Sequence, residues 1–218
     1  MDARHRSPAS WTGPTMPHTP RPAPVFPFSL ADARPLALAG VDLDVRDLAA
    51  LIRFIAERRG PAPALYGGYG EDRSVYAAST LFDGAGEPRT IHLGLDVWTD
   101  AGTPLRAPLD AEVHSLAVND RFGDYGGTII LTHDGFHTLW GHLAHRSLDG
   151  LREGQTVARG EQFAWLGEPD ENGGWPPHLH LQRIEDLEGR RGDFPGVAPR
   201  SEKARWLANC PDPKSLLL

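Results

Sequence analysis

Short apolar runs separated by turn residues dominate the sequence from residue 74 to residue 184. Asp-Gly pairs at 83–84 and 149–150 and Asn-Gly-Gly at 172–174 are examples of the turns between them. Many short strands joined by tight turns are typical of an antiparallel sandwich or barrel. The pattern therefore predicts a mainly β fold whose strands cover 74–82, 89–98, 111–118, 127–133, 136–143, 162–167 and 178–184.

A segment with helical periodicity precedes most of these strands. In DVRDLAALIRFIAERR, residues 44 to 59, apolar side chains recur every three or four positions, at Leu48, Leu51, Ile52 and Ile55. Asp44 or Asp47 is placed to cap the start, and Gly60 follows the last basic turn as a stop signal. The sequence predicts a helix over 45–59.

The two ends of the chain differ from this middle part. Residues 1–28 are rich in Pro, Ser, Thr and Arg without periodicity, so we expect a flexible tail there. Residues 29–88 form an N-terminal extension that contains the helix, and residues 89–185 form the β domain. Residues 186–218 are expected to wrap around that domain in extended form, with one helical turn near 202–207.

Composition narrows the choice of partner and compartment. The formal net charge is −7, so the chain has no basic excess to bind nucleic acid or an anionic membrane. Cys210 is the only cysteine, which excludes an internal disulfide and fits a reducing compartment. Prolines interrupt the start where an export signal would need an unbroken apolar stretch. We expect a cytoplasmic protein with neither nucleic acid nor membrane as partner, and the oligomeric state stays open.

Two short motifs carry candidate chemistry. His92 and Asp96 in HLGLD are four residues apart, so on one strand they share a face, with Gly94 between them leaving that face clear. His178 and His180 in PPHLHL share a face by the same rule. Two imidazoles and one carboxylate are a donor set that zinc accepts, with a fourth position left for a water that the ion activates. A lone histidine is more often structural, but this combination favours a metal centre.

These motifs belong to a longer resemblance. The segments of this chain that resemble the lysostaphin-type zinc metallopeptidase family occur in the family's order: HLGLD, GTPLRAPLDAEV (102–113), GGTIILTHDGFHTLWGHL (126–143), GLREGQTVARGEQFAWLG (150–167) and PHLHLQ (177–182). The resemblance implies a small β-sandwich of the duplicated hybrid motif type. It also implies Zn²⁺ held by the residues that match His92, Asp96 and His180, with His142 and His178 as the catalytic histidines that do not bind the metal.

The roles of this second pair can be argued physically. His178 lies two residues from a ligand on the same strand face, so we expect it to act as the general base. His142 would help to activate the water or donate to the developing oxyanion. The other histidines of this region have no matching spacing, and we expect most of them to be ordinary surface or strand-edge residues: His114, His133, His137 and His145.

The approach to the last histidine pair departs from the family pattern. Trp175, Pro176 and Pro177 stand where most peptidoglycan-cleaving relatives carry a Thr/Ser-Gly-Pro step, so we expect a stiff approach with Trp175 on the substrate groove. The chain looks similar to a cytoplasmic subgroup in which this domain is fused to a small-molecule kinase and an aminotransferase. This resemblance favours an intracellular peptide or amino-acid conjugate over the cell wall as substrate.

The sequence thus predicts a zinc metalloendopeptidase that acts on a peptide or peptide-like substrate. Two alternatives from other classes stay open. A binding or scaffold module could keep the peptidase fold without catalysis, although such domains typically lose ligands. A phosphohistidine carrier of the same topology could use paired histidines, but it would not need Asp96.

Overall fold

The computed structural model describes residues 21–41, 43–44, 46–73 and 87–217, and the structural statements below concern these residues. The predicted strand at 74–82 lies outside the described residues, as does the predicted tail up to residue 20.

The described chain is built mainly from short strands. In chain order the strands and α-helices are β1 Arg34–Pro35, α1 Leu48–Arg59, β2 Leu65–Gly67, β3 Arg89–His92, β4 Leu95–Trp98, β5 Pro104–Arg106, β6 Ala111–Asn119, β7 Gly126–Thr132, β8 His137–Leu143, β9 Thr156–Val157, β10 Gln162–Trp165, β11 His178–Ile184, β12 Val197–Pro199 and α2 Lys203–Asn209. Single turns of 3-10 helix lie at Leu30–Asp32, His145–Ser147, Arg200–Glu202 and Pro213–Leu216. The predicted mainly β fold is confirmed.

Most strands join one sheet with the order β1-β2-β4-β11-β8-β7-β6-β9. Its pairs are antiparallel except for the short parallel pair β1 and β2. Strand β11 runs through the middle, so His180 lies opposite Asp96 on one side and opposite Gly141 on the other. Two small ladders, β5 with β10 and β3 with β12, complete the fold.

The alternation along β11 separates the core from the polar site. Leu179 and Leu181 are fully buried in the main apolar cluster, together with Val97 and Trp140 of the neighbouring strands. The intervening His178 and His180 point to the opposite face, because successive strand side chains alternate. A packed apolar layer on one face of the sheet therefore supports the polar site on the other face.

The predicted flexible tail is wrong for its last residues. Val25 and Phe26 are 2% and 4% exposed and belong to the main core. The backbone N–H of Arg106 donates to the carbonyl oxygen of Val25, and that of Ala23 donates to Pro108. Proline limits helix formation but not an extended segment, so this apolar stretch packs beside β5 despite its prolines.

The helices follow the predictions with shifted details. Helix α1 begins at Leu48, after Asp47 accepts a hydrogen bond from the N–H of Ala50, and it ends before Gly60, which has φ 54°. Of the predicted apolar face, Leu51 and Ile55 pack against neighbouring clusters together with Phe54, but Ile52 is 40% exposed. The predicted C-terminal turn extends as α2 to Asn209. Among the described residues, neither helix has the length and apolar character that crossing a membrane requires.

Candidate metal centre

His92 and Asp96 meet, but not in the way predicted. The run 89–98 is not one strand: His92 ends β3, which pairs with β12, whereas Asp96 lies in β4, between β2 and β11. The side chains converge because the chain turns at Leu93 and Gly94. A Cβ atom on Gly94 would lie 2.5 Å from Cε1 of His180, so glycine is required there for close approach and not only to clear a strand face.

The predicted trio forms a tight buried cluster. Nε2 of His92 lies 3.0 Å from Nδ1 of His180 and 3.3 Å from Oδ1 of Asp96. Nδ1 of His180 lies 3.1 Å from the same carboxylate oxygen. The three residues are at most 3% exposed. Among the described residues they are the one group of this kind whose ligand atoms lie close enough to share a metal ion.

Each member of the trio is engaged on its outer side. Nδ1 of His92 donates to the carbonyl oxygen of Gly68 over 2.9 Å, and Nε2 of His180 donates to Oε1 of Gln182 over 3.1 Å. Oδ2 of Asp96 accepts from Nη1 of Arg73 over 2.7 Å. A neutral imidazole carries one proton, so the inner nitrogens face each other and Oδ1 as lone pairs. Three acceptor atoms that converge without a proton between them favour a bound cation. Histidines that bind metals likewise donate their other ring N–H to an outer acceptor.

The charges of the trio suit the same purpose. Burial, with a contribution from Arg73, lowers the pKa of His92 to about 4. Burial alone would raise the pKa of Asp96, but the guanidinium of Arg73 beside it favours the ionised form, and its pKa lies well below its usual value. At neutral pH the site therefore offers a neutral imidazole and an ionised carboxylate, which are the protonation states that a metal requires.

A second histidine pair lies beside the trio. The rings of His142 and His178 are 4.1 Å apart between centroids, and Nε2 of His178 lies 4.0 Å from Oδ1 of Asp96. Nδ1 of His142 donates to the carbonyl oxygen of Asn172, and Nδ1 of His178 donates to that of Pro176. The Nε2 atom of each ring is therefore an acceptor.

Burial keeps this pair neutral. It lowers the pKa of His178, although Asp96 acts in the opposite direction. Burial and the neighbouring His178 lower the pKa of His142 well below its usual value. Two neutral imidazoles beside a candidate metal centre can each accept a proton at neutral pH.

His142 is held in an unusual backbone conformation. Its φ is 63°, in the left-handed region, which costs a non-glycine residue roughly 1–3 kcal/mol. Its N–H donates to the carbonyl oxygen of Tyr125, and its own carbonyl oxygen accepts from Gly167. Such strain persists only where the surroundings enforce it, and it clusters at functional sites.

The trio and the pair open into one cleft of about 240 Å³. Tyr125 packs against His180 and His142, with ring centroids 5.2 and 5.7 Å apart, and its hydroxyl donates to the carbonyl oxygen of Phe194. Trp175 lines the cleft, as predicted. Charged residues of both signs also line it, namely Arg89, Asp124, Arg190 and Asp193.

The remaining histidines of the β domain lie outside the cleft. His133 has structural contacts, because one ring nitrogen lies 3.0 Å from the carbonyl oxygen of Asp110 and the other 2.9 Å from the hydroxyl of Thr138. His114 and His137 form an edge-to-face pair with centroids 5.6 Å apart. His145 lies in a 3-10 turn. None of these four belongs to the trio or lines the cleft.

Sequence reasoning missed the residues that hold the site from outside. Gln182 follows His180 by two positions on β11, so strand alternation could have placed it on the same face. Arg73 and Gly68 lie in the glycine-rich stretch YGGYGEDR, residues 66–73. No local pattern marks them, because their contacts join segments about 23 residues apart in the chain.

This chain matches one family model and is similar to several solved structures. The model of Peptidase family M23 matches residues 90–190. The catalytic domain of the antimicrobial peptidase lysostaphin from Staphylococcus simulans is similar at 21% identity, with 70% of this chain and 90% of that chain covered and a TM-score of 0.45.

Two further solved structures are similar over smaller shares. A zinc containing peptidase from Vibrio cholerae has 26% identity, with 43% of this chain and 27% of that chain covered and a TM-score of 0.36. A putative glycyl-glycine endopeptidase, lytM, from Ruminococcus gnavus has 21% identity, with 53% and 47% covered and a TM-score of 0.36. The chain thus spans less than half the length of each of these two proteins. A comparison with curated proteins found no match.

Proposed function

We propose that this chain is a zinc-dependent peptidase that hydrolyses a peptide or amide bond in the cleft above His92, Asp96 and His180. The observation that carries the proposal is the convergence of three buried ligand atoms, Nε2 of His92, Oδ1 of Asp96 and Nδ1 of His180, within 3.3 Å of one another. The match of residues 90–190 to a peptidase family supports the same conclusion. The intact ligand set also argues against the scaffold alternative, and Asp96 argues against the phosphohistidine carrier.

The donor set favours zinc among the divalent metals. Two imidazole nitrogens and one carboxylate oxygen are typical of catalytic zinc, and three protein ligands leave one position open. When bound there, the ion would polarise the substrate carbonyl and lower the pKa of a water molecule.

We assign the proton transfers of the reaction to His142 and His178. Nε2 of His178 faces the cleft as an acceptor 4.0 Å from Oδ1 of Asp96, so we assign it the general base that takes a proton from the attacking water. The resulting imidazolium can return that proton to the leaving amine. Nε2 of His142 is also an acceptor, which favours help in activating the water over donation to an oxyanion.

We propose an intracellular peptide or an amino-acid conjugate as substrate and an endopeptidase specificity. The cleft wall formed by Trp175 and the charges of both signs at its rim suit a polar, zwitterionic chain more than an apolar one. The cytoplasmic location, the duplicated hybrid motif and the kinase and aminotransferase relatives stay predictions.

A metal assay followed by digestion of a peptide library tests the proposal. We expect about one zinc per chain, cleavage that a chelator abolishes, and recovery when zinc is returned. Gln162→Met serves as the control variant, because Gln162 lies in β10 and does not line the cleft. Full cleavage by metal-free protein, or full zinc content in His180→Ala, would contradict the proposal.

A further inference from the structure

Gln182 is a fully buried polar side chain that the proposed chemistry does not use. It lies on β11, two residues after His180 and on the same face, and it is 0% exposed. Its Oε1 lies 3.1 Å from Nε2 of His180. Its amide nitrogen donates to the carbonyl oxygen of Pro195 over 3.1 Å and to Sγ of Cys210 over 3.2 Å.

The contact with Pro195 determines which way the amide points. A backbone carbonyl oxygen can only accept, so the nitrogen of the Gln182 amide must face Pro195. The oxygen of the amide must then face His180. This amide oxygen needs an N–H donor, and Nε2 of His180 lies 3.1 Å from it. His180 therefore carries its proton on Nε2 and keeps a lone pair on Nδ1.

A competing arrangement exists within the trio. With the proton on Nδ1, His180 would donate to Oδ1 of Asp96, which lies 3.1 Å away. That hydrogen bond would fill the space between the ligand atoms with a proton and would oppose metal binding. The acceptor of Gln182 disfavours this arrangement, because it would leave Oε1 without a donor in a buried position.

We propose that Gln182 is a positioning residue that keeps His180 in the tautomer whose Nδ1 can bind the metal. The inference rests on the proposed function only in requiring that the trio binds a divalent cation. It also assigns a role to the C-terminal segment, because Pro195 and Cys210 lie beyond residue 190, where the family match ends.

The test uses the full chain with three variants and two measurements. Gln182→Met removes the acceptor at similar length, Gln182→Glu keeps an acceptor, and Gln162→Met is the matched control in β10. Zinc affinity is measured by competition with a chromogenic chelator. The protonated nitrogen of His180 is identified by ¹H–¹⁵N NMR of the metal-free protein, with His180→Ala used for assignment.

We expect Gln182→Met to weaken zinc binding about 10- to 100-fold and to move the proton of His180 toward Nδ1. Gln182→Glu should keep the proton on Nε2 and bind zinc within about threefold of the wild type, as the control should. If Gln182 only filled space, Gln182→Met and Gln182→Glu would both lower the thermal stability. The zinc affinity and the position of the His180 proton would then be unchanged in both variants.

Several results would overturn the inference. A proton on Nδ1 in the metal-free wild type does so without any variant, even if Gln182→Met fails to fold. Unchanged zinc affinity in folded Gln182→Met, or an equal loss in Gln182→Glu, also does so. Zinc binding without peptide cleavage contradicts the proposed function alone, whereas a wild type that binds no zinc contradicts both.

Discussion

The metal trio and the His142–His178 pair lie in one cleft but are held by different means. Side chains and strand register hold most of the trio: Arg73 binds Asp96, Gln182 binds His180, and β4 pairs with β11 so that Asp96 faces His180. Backbone carbonyl oxygens of one loop, 172–176, hold both rings of the pair. Single substitutions should therefore separate metal binding from proton transfer.

The largest effect is expected at Asp96, which is a member of the trio and also pairs with Arg73. Asp96→Ala should abolish zinc binding and activity, because it removes one ligand of three. It should also destabilise the metal-free protein by about 1.5–3 kcal/mol, because Arg73, which is 1% exposed, loses its closer carboxylate and keeps its ion pair with Glu71. Zinc content and urea denaturation measure the two effects. A variant that keeps its zinc would show that the trio is not the metal site.

The pair should behave in the opposite way. His178→Ala should keep the zinc and lose about 10²- to 10⁴-fold in turnover, because it removes the assigned general base. His142→Ala should also keep the zinc and lose less turnover, since His178 remains. Turnover and zinc content are measured on the same samples. Full turnover in His178→Ala would remove it from the mechanism.

The loop that holds the pair can be loosened without touching either ring. The side chain of Asn172 accepts from the N–H of Trp175 and donates to the carbonyl oxygen of Trp175, while its backbone oxygen holds His142. Asn172→Ala should leave zinc binding unchanged and lower kcat about 10- to 100-fold, because small displacements of a catalytic group are costly. Asn119→Ala is the control, since this residue bonds Thr128 and Gly192 outside the cleft. Loss of zinc in Asn172→Ala would mean that the two regions are not separable.

The difference between the trio and the pair also shows which contacts could be predicted from the sequence. The shared face of His178 and His180 was predictable because β11 is one continuous strand, so the alternation rule applies. His92 and Asp96 were correctly predicted to converge, but for a wrong reason, since the chain changes sheet between them. Periodicity describes residues within an element and says nothing about a turn that brings two elements together.

The outer contacts of the trio were unpredictable for a related reason. Gly68 follows β2, in which Gly67 lies opposite Asp96 of β4, whereas the N–H of Arg73 donates to the carbonyl oxygen of Thr90 in β3. Such long-range pairing leaves no local pattern in a glycine-rich segment. The same holds for Val25, whose burial depends on packing against residues far along the chain.

The last expected effect concerns acid stability and applies to both regions at once. Burial lowers the pKa of His92 to about 4 and also lowers the pKa values of His142 and His178. In the unfolded chain these histidines titrate near their ordinary pKa of about 6.5, so between these values the unfolded state binds more protons than the folded state. The metal-free protein should therefore lose stability as the pH falls from about 6.5 toward 4, by at most about 1.4 kcal/mol per pH unit for each histidine.

Thermal unfolding of the metal-free protein across this pH range measures the effect. His142→Gln keeps a polar side chain at that position but cannot take up the proton, so its unfolding temperature should fall less steeply with acidification than that of the wild type. His145→Gln is the control, because His145 lies in a 3-10 turn outside the cleft. If the wild type and His142→Gln respond equally to acid, His142 does not differ in protonation between the folded and unfolded states. The neutral imidazole that we assign to the proton-transfer pair would then lose its support at that position, while the assignment of the metal trio would be unaffected.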